Sequence, residues 1–246
     1  HRAIVVVMVV SGAVALAMPS DVPMVLGDYC GPLSGLWWWI KNKPDALDMA
    51  LSSFEEDWTN SEANYYRIRE AFNAEPFSTK TALPAARFLW LNRAGYNGLY
   101  RENGDGKFNV PYGKRKHLSA EPTLDELQAV SRHLRKATLL LACDFEQALR
   151  TVRAGDVVYA DPPYDGVFDD YLAGGFGVEG QVRLAQVLHS CVARGAHVFM
   201  TNSDTPRIRE LYDDFILEPF EEPRSVSAKA SSRQKTGCLL CVGTPV

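Results

Sequence analysis

One stretch of the sequence gathers residue types able to handle an amine: Gly155-Asp156-Val157-Val158-Tyr159-Ala160-Asp161-Pro162-Pro163-Tyr164. An apolar run ends at Ala160, and a carboxylate, two prolines and an aromatic ring follow at once. Consecutive prolines fix φ and carry no N–H, so the turn is stiff and its carbonyls meet no local donor. Asp161 and the Pro162 carbonyl then offer two acceptors, one for each hydrogen of an exocyclic NH2 group. Tyr164 adds a flat face for a planar heteroaromatic ring. The plain competitor is a structural Pro-rich turn, and an acid at the very end of a sheet strand argues against it. A metal at Asp161 is disfavoured, because no His or Cys lies at ligand spacing; His189 and His197 suit a helix surface and a strand.

Such a site calls for an open α/β sheet, whose ligands bind outside the carboxyl ends of the strands. Short apolar, β-branched runs predict strands at 4–10, 23–27, 138–142, 157–160, 196–201, 215–220 and 238–243. Helical patterning covers 13–18, 33–42, 44–57, 61–74, 82–92, 123–135, 145–150, 179–193 and 206–213. Pro44-Asp45 and Thr123-Leu124-Asp125-Glu126 read as helix starts, and Leu184, Val187, Leu188 and Cys191 as an apolar stripe. Strands and helices alternate at both ends of the chain, which implies an α/β fold with a mostly parallel sheet. Between about 44 and 135 no core-type strand is legible, and 93–117 is polar and rich in Asn, Gly and Arg. That middle reads as an inserted helical domain.

The apolar run from Ala3 to Met18 admits a rival reading. It is too short to span a membrane, but His1-Arg2 and Ala15-Leu16-Ala17 imitate a secretory signal. A Val-rich run is equally what a sheet covered by helices on both faces requires, and the strand is the preferred reading.

With 246 residues, 46% hydrophobic and 23% charged, the chain can bury a full core in one or two domains, and bulk disorder or a coiled coil is excluded. Its five cysteines are odd in number and scattered. Cys238 and Cys241 have C-x-x-C spacing, but in a strand their sulfurs would face opposite sides, so reduced thiols in a cytoplasmic protein are expected. The net charge of −4 hides two basic stretches. Residues 87–117 carry a local balance of +5 and residues 224–235 one of +4. A nucleic-acid footprint is local, so the acidic total does not argue against one.

Several further segments share an order with one known family. They are Leu91-Asn92-Arg93-Ala94-Gly95-Tyr96-Asn97-Gly98-Leu99-Tyr100-Arg101, Gly106-Lys107-Phe108-Asn109-Val110-Pro111-Tyr112-Gly113-Lys114, Asp144-Phe145, Thr201-Asn202-Ser203-Asp204-Thr205-Pro206 and the basic run from Arg224 to Arg233. With Asp161-Pro162-Pro163-Tyr164 in place among them, the sequence resembles the Dam-type (D12 class) adenine-N6 DNA methyltransferases over nearly its whole length. That resemblance implies a Rossmann-like S-adenosylmethionine-dependent methyltransferase, with a mostly parallel seven-stranded sheet and an inserted helical target-recognition domain. It implies a catalytic domain at 1–56 and 136–246 and a recognition domain at 57–135. Asp161, Pro162, Pro163 and Tyr164 would be catalytic, around an adenine turned out of the duplex. Met8, Val10, Gly12, Asp28, Asp144, Phe145 and Asp161 would meet the cofactor. Arg93, Asn97 and Arg101 would meet phosphates, Asn109, Tyr112, Lys114, Arg115 and Lys116 would enter the groove at a short site such as GATC, and Arg224 and Lys229 would hold the strand. The partner would be duplex DNA, bound by a monomer without metal or membrane, in the cytoplasm of a prokaryote or from a phage.

The chain also departs from the family pattern. The usual Phe-x-Gly-x-Gly turn reads Met8-Val9-Val10-Ser11-Gly12, the usual Asp-x-Asn reads Asp28-Tyr29-Cys30, and Gly-Arg-Tyr-Lys reads Gly113-Lys114-Arg115-Lys116. Near the other end Arg233 is followed by Cys238-Leu239, where the family often has a Glu-Leu pair. The family's amino-terminal cofactor segment would precede His1. The substrate half of the site thus matches better than the cofactor half. This leaves two alternatives: a DNA-binding family member with an impaired cofactor pocket, or an amino-methyltransferase acting on cytosine N4. Trp37-Trp38-Trp39 is expected to be a buried helix face with one ring exposed.

Overall fold

A computed structural model describes residues 3–8, 12–52, 60–118, 121–166, 175–221 and 237–245. Its sheet has seven strands: β1 (Ile4–Val7), β2 (Met24–Gly27), β3 (Ala137–Leu140), β4 (Val157–Ala160), β5 (His197–Ser203), β6 (Ile216–Phe220) and β7 (Cys238–Gly243). They lie in the order β3-β2-β1-β4-β5-β7-β6. The pairs from β3 through to β5 are parallel, and β7 alone runs against its neighbours, β5 and β6. This is the Rossmann-like methyltransferase sheet, with helices on its two faces.

β1 shows why the Val-rich run is a strand. It sits in the sheet between β2 and β4, and successive valines point to opposite sides. Val5 and Val7 enter one core with α7 (Phe145–Leu149), α8 (Gly177–Ala193) and α9 (Pro206–Leu211), while Val6 enters another with α1 (Ala13–Ala17) and Leu134. Continuous apolarity, rather than alternation, is the mark of a strand covered on both faces. The stripe read on α8 is inward: Leu184, Leu188 and Cys191 are fully buried, and Val187 packs partly buried beside them.

Between β2 and β3 the chain leaves the sheet for a helical body. It is built from α2 (Gly31–Asn42), α3 (Pro44–Ser52), α4 (Glu62–Ala74), α5 (Leu83–Ala94) and α6 (Leu124–His133). Its own core joins Leu36, Trp39, Leu47, Tyr65, Phe72, Trp90 and Phe108, among others. Phe72 lies stacked against Phe88 with ring centroids 6.1 Å apart, and edge-on to Phe108 at 5.8 Å. Thr123 and Glu126 form a capping box that starts α6 where the sequence predicts it. α2 roots the body to the sheet, for Trp39 is buried in the helical core while Trp37 also reaches the core beneath β1 and β2. None of the three rings is exposed, against the expectation of one, because Trp37 and Trp38 both pack half-buried on the helical core.

Two boundaries differ from the sequence pattern by more than two residues. β1 stops at Val7 rather than running to residue 10, because Met8 turns into the left-handed region at φ 59°. The helix expected over 44–57 is described only to Ser52, and 53–59 lie outside the described residues. Among the described residues no helix is long and apolar enough to cross a membrane.

Gly12, just before α1, combines a φ of 73° with tight packing: an added Cβ would collide with the Trp37 ring at Cζ2. Gly12→Ala is therefore expected to destabilise the fold by about 2–4 kcal/mol, from the left-handed backbone and the overpacked ring together. Urea unfolding would show a lower midpoint with an unchanged slope; an unshifted midpoint would contradict this packing.

Candidate active site

Parallel pairing places the strand ends side by side. Val7 lies opposite both Gly27 and Ala160, and Ala160 lies opposite Met200. The residues that follow, Met8, Asp28, Asp161 and Thr201, are thereby delivered to one edge of the sheet. Leu140 lies opposite Gly27, which brings the loop carrying Asp144 to that edge as well.

Asp161 is half-buried at the tip of β4, and its amide donates to the Val7 carbonyl at 3.4 Å. Its Oδ1 accepts a hydrogen bond from the Thr201 hydroxyl at 2.8 Å. Tyr159 Oη lies 3.4 Å from the same hydroxyl. Pro162 is buried, and Pro163 and Tyr164 are half-buried. The Pro163 carbonyl accepts from Gln181 Nε2 at 2.7 Å, and the Asp165 amide donates to Asn202 Oδ1 at 2.8 Å. The buried Asp165 carboxylate takes a hydrogen bond from Thr205 Oγ1 at 2.7 Å and an ion pair from Arg207, which fasten it to the start of α9.

Thr201, Gln181, Asn202, Asp165 and Arg207 are absent from the residues singled out as functional in the sequence. A signal existed for two of them, since Thr201 and Asn202 open a segment recognised by its order. Gln181 on a helix and Asp165 after the tetrapeptide carry none.

At the neighbouring strand ends, Asp28 Oδ1 accepts from the Cys30 amide at 2.8 Å, and the Asp28 carbonyl accepts from the Cys143 amide at 2.9 Å. That second bond draws Asp144 and Phe145 beside Asp28. Asp144 caps α7, with Oδ1 taking the Glu146 amide at 2.8 Å, and it pairs with Arg183 at 3.4 Å. Arg183 also binds Glu146 at 2.8 Å. The Phe145 ring is only 6% exposed, edge-on to Phe176 at 5.9 Å and 5.1 Å from the Arg183 guanidinium, so most of it is already covered. Carboxylates at Asp28 and Asp144 suit the hydroxyls and the amine of a nucleoside. Met8, after β1, and Gly12, before α1, have left-handed φ angles of 59° and 73°; Val10 lies outside the described residues.

The basic segment is built against the helical body. Gly95 bridges to Tyr112, and Glu102 bridges to Phe108. Arg101 Nε donates to Asn109 Oδ1 at 2.7 Å, so two of the residues expected at DNA bind one another. Tyr112 is half-buried, with its hydroxyl donating to Asn60 Oδ1 at 2.9 Å and its ring 5.5 Å from Tyr65. Arg93 is paired with Glu121 at 2.9 Å and its side chain is 11% exposed, so it is drawn inward rather than presented. Asn97, Lys114, Arg115 and Lys116 are exposed, Asn97 and Lys114 with left-handed φ of 53° and 52°. Arg224 and Lys229 lie outside the described residues. Tyr100, in this segment, sits beside Cys30 at the start of α2, and burial with the adjacent Cys30 and Glu102 pushes its phenol well above the ordinary range.

A family model described as D12 class N6 adenine-specific DNA methyltransferase matches residues 11–226. The chain is 36% identical over 236 residues to the retron Ec67 DNA adenine methylase of Escherichia coli, covering 94% of this chain and 80% of that one. It is 31% identical over 229 residues to the DNA adenine methylase of Escherichia coli strain K12, covering 90% and 79%. It is 32% identical over 208 residues to a type II methyltransferase of the archaeon Methanocaldococcus jannaschii, covering 79% and 71%.

All five cysteines are free and buried. Burial pushes the Cys30 and Cys241 thiols from an ordinary 9.0 up to about 12, and raises Cys143 and Cys191 as well. Ellman's reagent at about pH 8 is expected to reach almost none of them in the folded protein and all of them in guanidinium. The unfolded thiols ionise first, so their contribution to stability is full below 9.0 and falls away as pH rises toward about 12. A fast-reacting thiol in the folded protein would contradict the assignment.

Proposed function

The chain belongs to the D12 class of N6 adenine-specific DNA methyltransferases, and from that premise we propose that it methylates adenine N6 within a short duplex site of the GATC kind. The observation that carries the proposal is the acceptor turn at the tip of β4, with Asp161 held by Thr201 and level with the ends of β1 and β2.

The residues at those ends fit the nucleoside half of S-adenosylmethionine. Asp28 would take the ribose hydroxyls, and Asp144 the cofactor amine beside the wall formed by Phe145. Met8, Val10 and Gly12 would form the turn facing its methionine part. Met8 stands where the family pattern has Phe, and its left-handed φ of 59° costs an order of 1 kcal/mol of strain. Bound there, S-adenosylmethionine supplies an electrophilic methyl group on a sulfonium.

The adenine amine is a poor nucleophile because its lone pair is delocalised into the ring. Asp161 and the Pro162 carbonyl accept its two hydrogens, which draws the nitrogen toward tetrahedral geometry and stabilises the positive charge it gains on attack. Asp161 need not take a proton beforehand. Tyr164 stacks on the extrahelical base and offsets part of the few kcal/mol needed to unpair it. The rigidity of the turn supplies alignment.

Residues 57–135 would carry recognition, with the exposed Lys114, Arg115 and Lys116 reading base edges and Asn97, Arg101 and Asn109 positioning the duplex. Tyr112 would fill the gap left by the base once its bond to Asn60 opens, and Arg93 would reach phosphate on release from Glu121. Arg224 and Lys229 would hold the strand near the turn. The protein would act as a monomer in the cytoplasm of a prokaryote or a phage-infected cell; its relatives come from bacteria, a bacteriophage and an archaeon.

Radiolabelled methyl transfer to duplex oligonucleotides is expected to place the label on adenine N6, and calorimetry to give a micromolar dissociation constant for S-adenosylhomocysteine. No binding at millimolar concentrations would favour the DNA-binding alternative, and label on cytosine the other one. Asp161→Ala should lower kcat by about 10²–10³-fold or more while DNA affinity stays within a fewfold. Lys114→Ala should relax discrimination at one base pair by about 1–3 kcal/mol, read by comparing kcat/KM on single-mismatch sites.

A further inference from the structure

We infer that Gln181 and Asn202 are positioning residues for methyl transfer, two buried side-chain amides that clamp the acceptor turn from behind; the inference rests on the reading of that turn given above. Gln181, on α8, is 3% exposed and Asn202, on β5, is fully buried. The other buried positions of these two elements include Leu184, Ala185 and Leu188 on α8 and Val198 and Met200 on β5, a setting in which apolar side chains are the ordinary choice. Buried amides cost free energy unless every donor and acceptor is met, so their presence there marks a specific task.

The hydrogen bonds define the orientation of both amides. Asn202 Oδ1 accepts two backbone N–H groups, from Asp165 and from Ser203, each at 2.8 Å. Its Nδ2 must then point the other way, and it donates to Gln181 Oε1 at 3.0 Å. That leaves Gln181 Nε2 as a donor, and it reaches the Pro163 carbonyl at 2.7 Å. The chain of bonds runs in one direction only, from backbone amide to proline carbonyl.

The need for it follows from the prolines. Neither Pro162 nor Pro163 has an N–H, so two successive residues of the turn cannot be tied down by their own donors. Gln181 satisfies the Pro163 carbonyl on the buried side, and Asn202 fixes the Asp165 amide two residues on. With Thr201 holding Asp161, the turn is gripped at both ends and at its middle. Rotation that would present the Pro163 carbonyl in place of that of Pro162 is thereby blocked. The amides touch no reacting atom; they act through the turn.

Gln181→Glu provides a test that a merely structural role would not satisfy. A protonated glutamic acid reproduces the glutamine, donating to Pro163 and accepting from Asn202, whereas the carboxylate sets oxygen against oxygen. Its kcat relative to the parent chain is expected to rise at least fivefold as pH falls from about 8.5 to 5.5, since protonation restores the donor. Gln181→Leu, without a donor at any pH, should lose about 10–100-fold in kcat at all of them, with the dissociation constant for S-adenosylhomocysteine and the KM for DNA within threefold. Full kcat in Gln181→Leu, or a pH-independent deficit in Gln181→Glu, would overturn the inference. Should Gln181→Leu not fold, the pH dependence of Gln181→Glu decides alone. A parent chain that transfers no methyl group would sink the functional reading instead. The clamp is then read by hydrogen exchange, where the Asp165 amide must exchange at least tenfold faster in Gln181→Leu, and unchanged exchange would refute it.

Discussion

The site depends above all on the register of parallel strand pairing. Because Val7 stands opposite Gly27 on one side and Ala160 on the other, three strands end level, and β5 continues the line through Met200. Slipping one strand by a residue would move its last side chain to the other face and pull its loop out of the row. The register is secured from both sides, since Val5, Val6 and Val7 are each at most 2% exposed, in two different cores. Burial on both faces thus acts at a distance, keeping Asp28 and Asp161 level on either side of β1 although they stand 133 positions apart in the chain.

The second constraint is the manner in which the helical body is attached. It enters after β2 and returns before β3, with α2 sharing side chains between the sheet and the body's own core. The polar segment from Tyr96 to Lys116 is folded back against α4 and α5 by backbone bonds, such as Gly113 to Ala94 at 2.8 Å, and by Asn73 binding the backbone of Phe108. Little of it is a free loop. Tyr100 carries it up to Cys30, so the end of β2 and the basic segment touch.

Much of this was legible in the sequence, and the limits have physical causes. All seven strands and the nine helices among the described residues were marked by apolar runs or helical spacing, because each buries its own stripe or faces. The end of β1 was misread, since Val9 and Val10 prolong the apolar run while the backbone has already turned at Met8; the pattern reports burial, not dihedral angles. Charge did not announce the partners of Arg93 and Arg101: Glu121 lies 28 residues from the first, and Asn109 holds the second. Thr201, Gln181 and Asn202 escaped for the same reason. A buried polar group acquires its meaning from a partner in another element, and no local spacing announces that partner. The roles of Val10, Arg224 and Lys229 fall outside the described residues.

The position of β7 bears on how the protein is made. It is the last of the seven strands to leave the ribosome, yet it lies between β5 and β6. Until it docks, β5 has an open edge and β6 has no neighbour to join. Asn202 and Ser203 face Leu239 and Cys238 across that seam, so the end of β5 that braces the acceptor turn gains its backbone support only then. A nascent chain therefore carries the turn after β4 for some seconds without that support, and the sheet closes only after the exposed basic segment around Lys114 has long been synthesised.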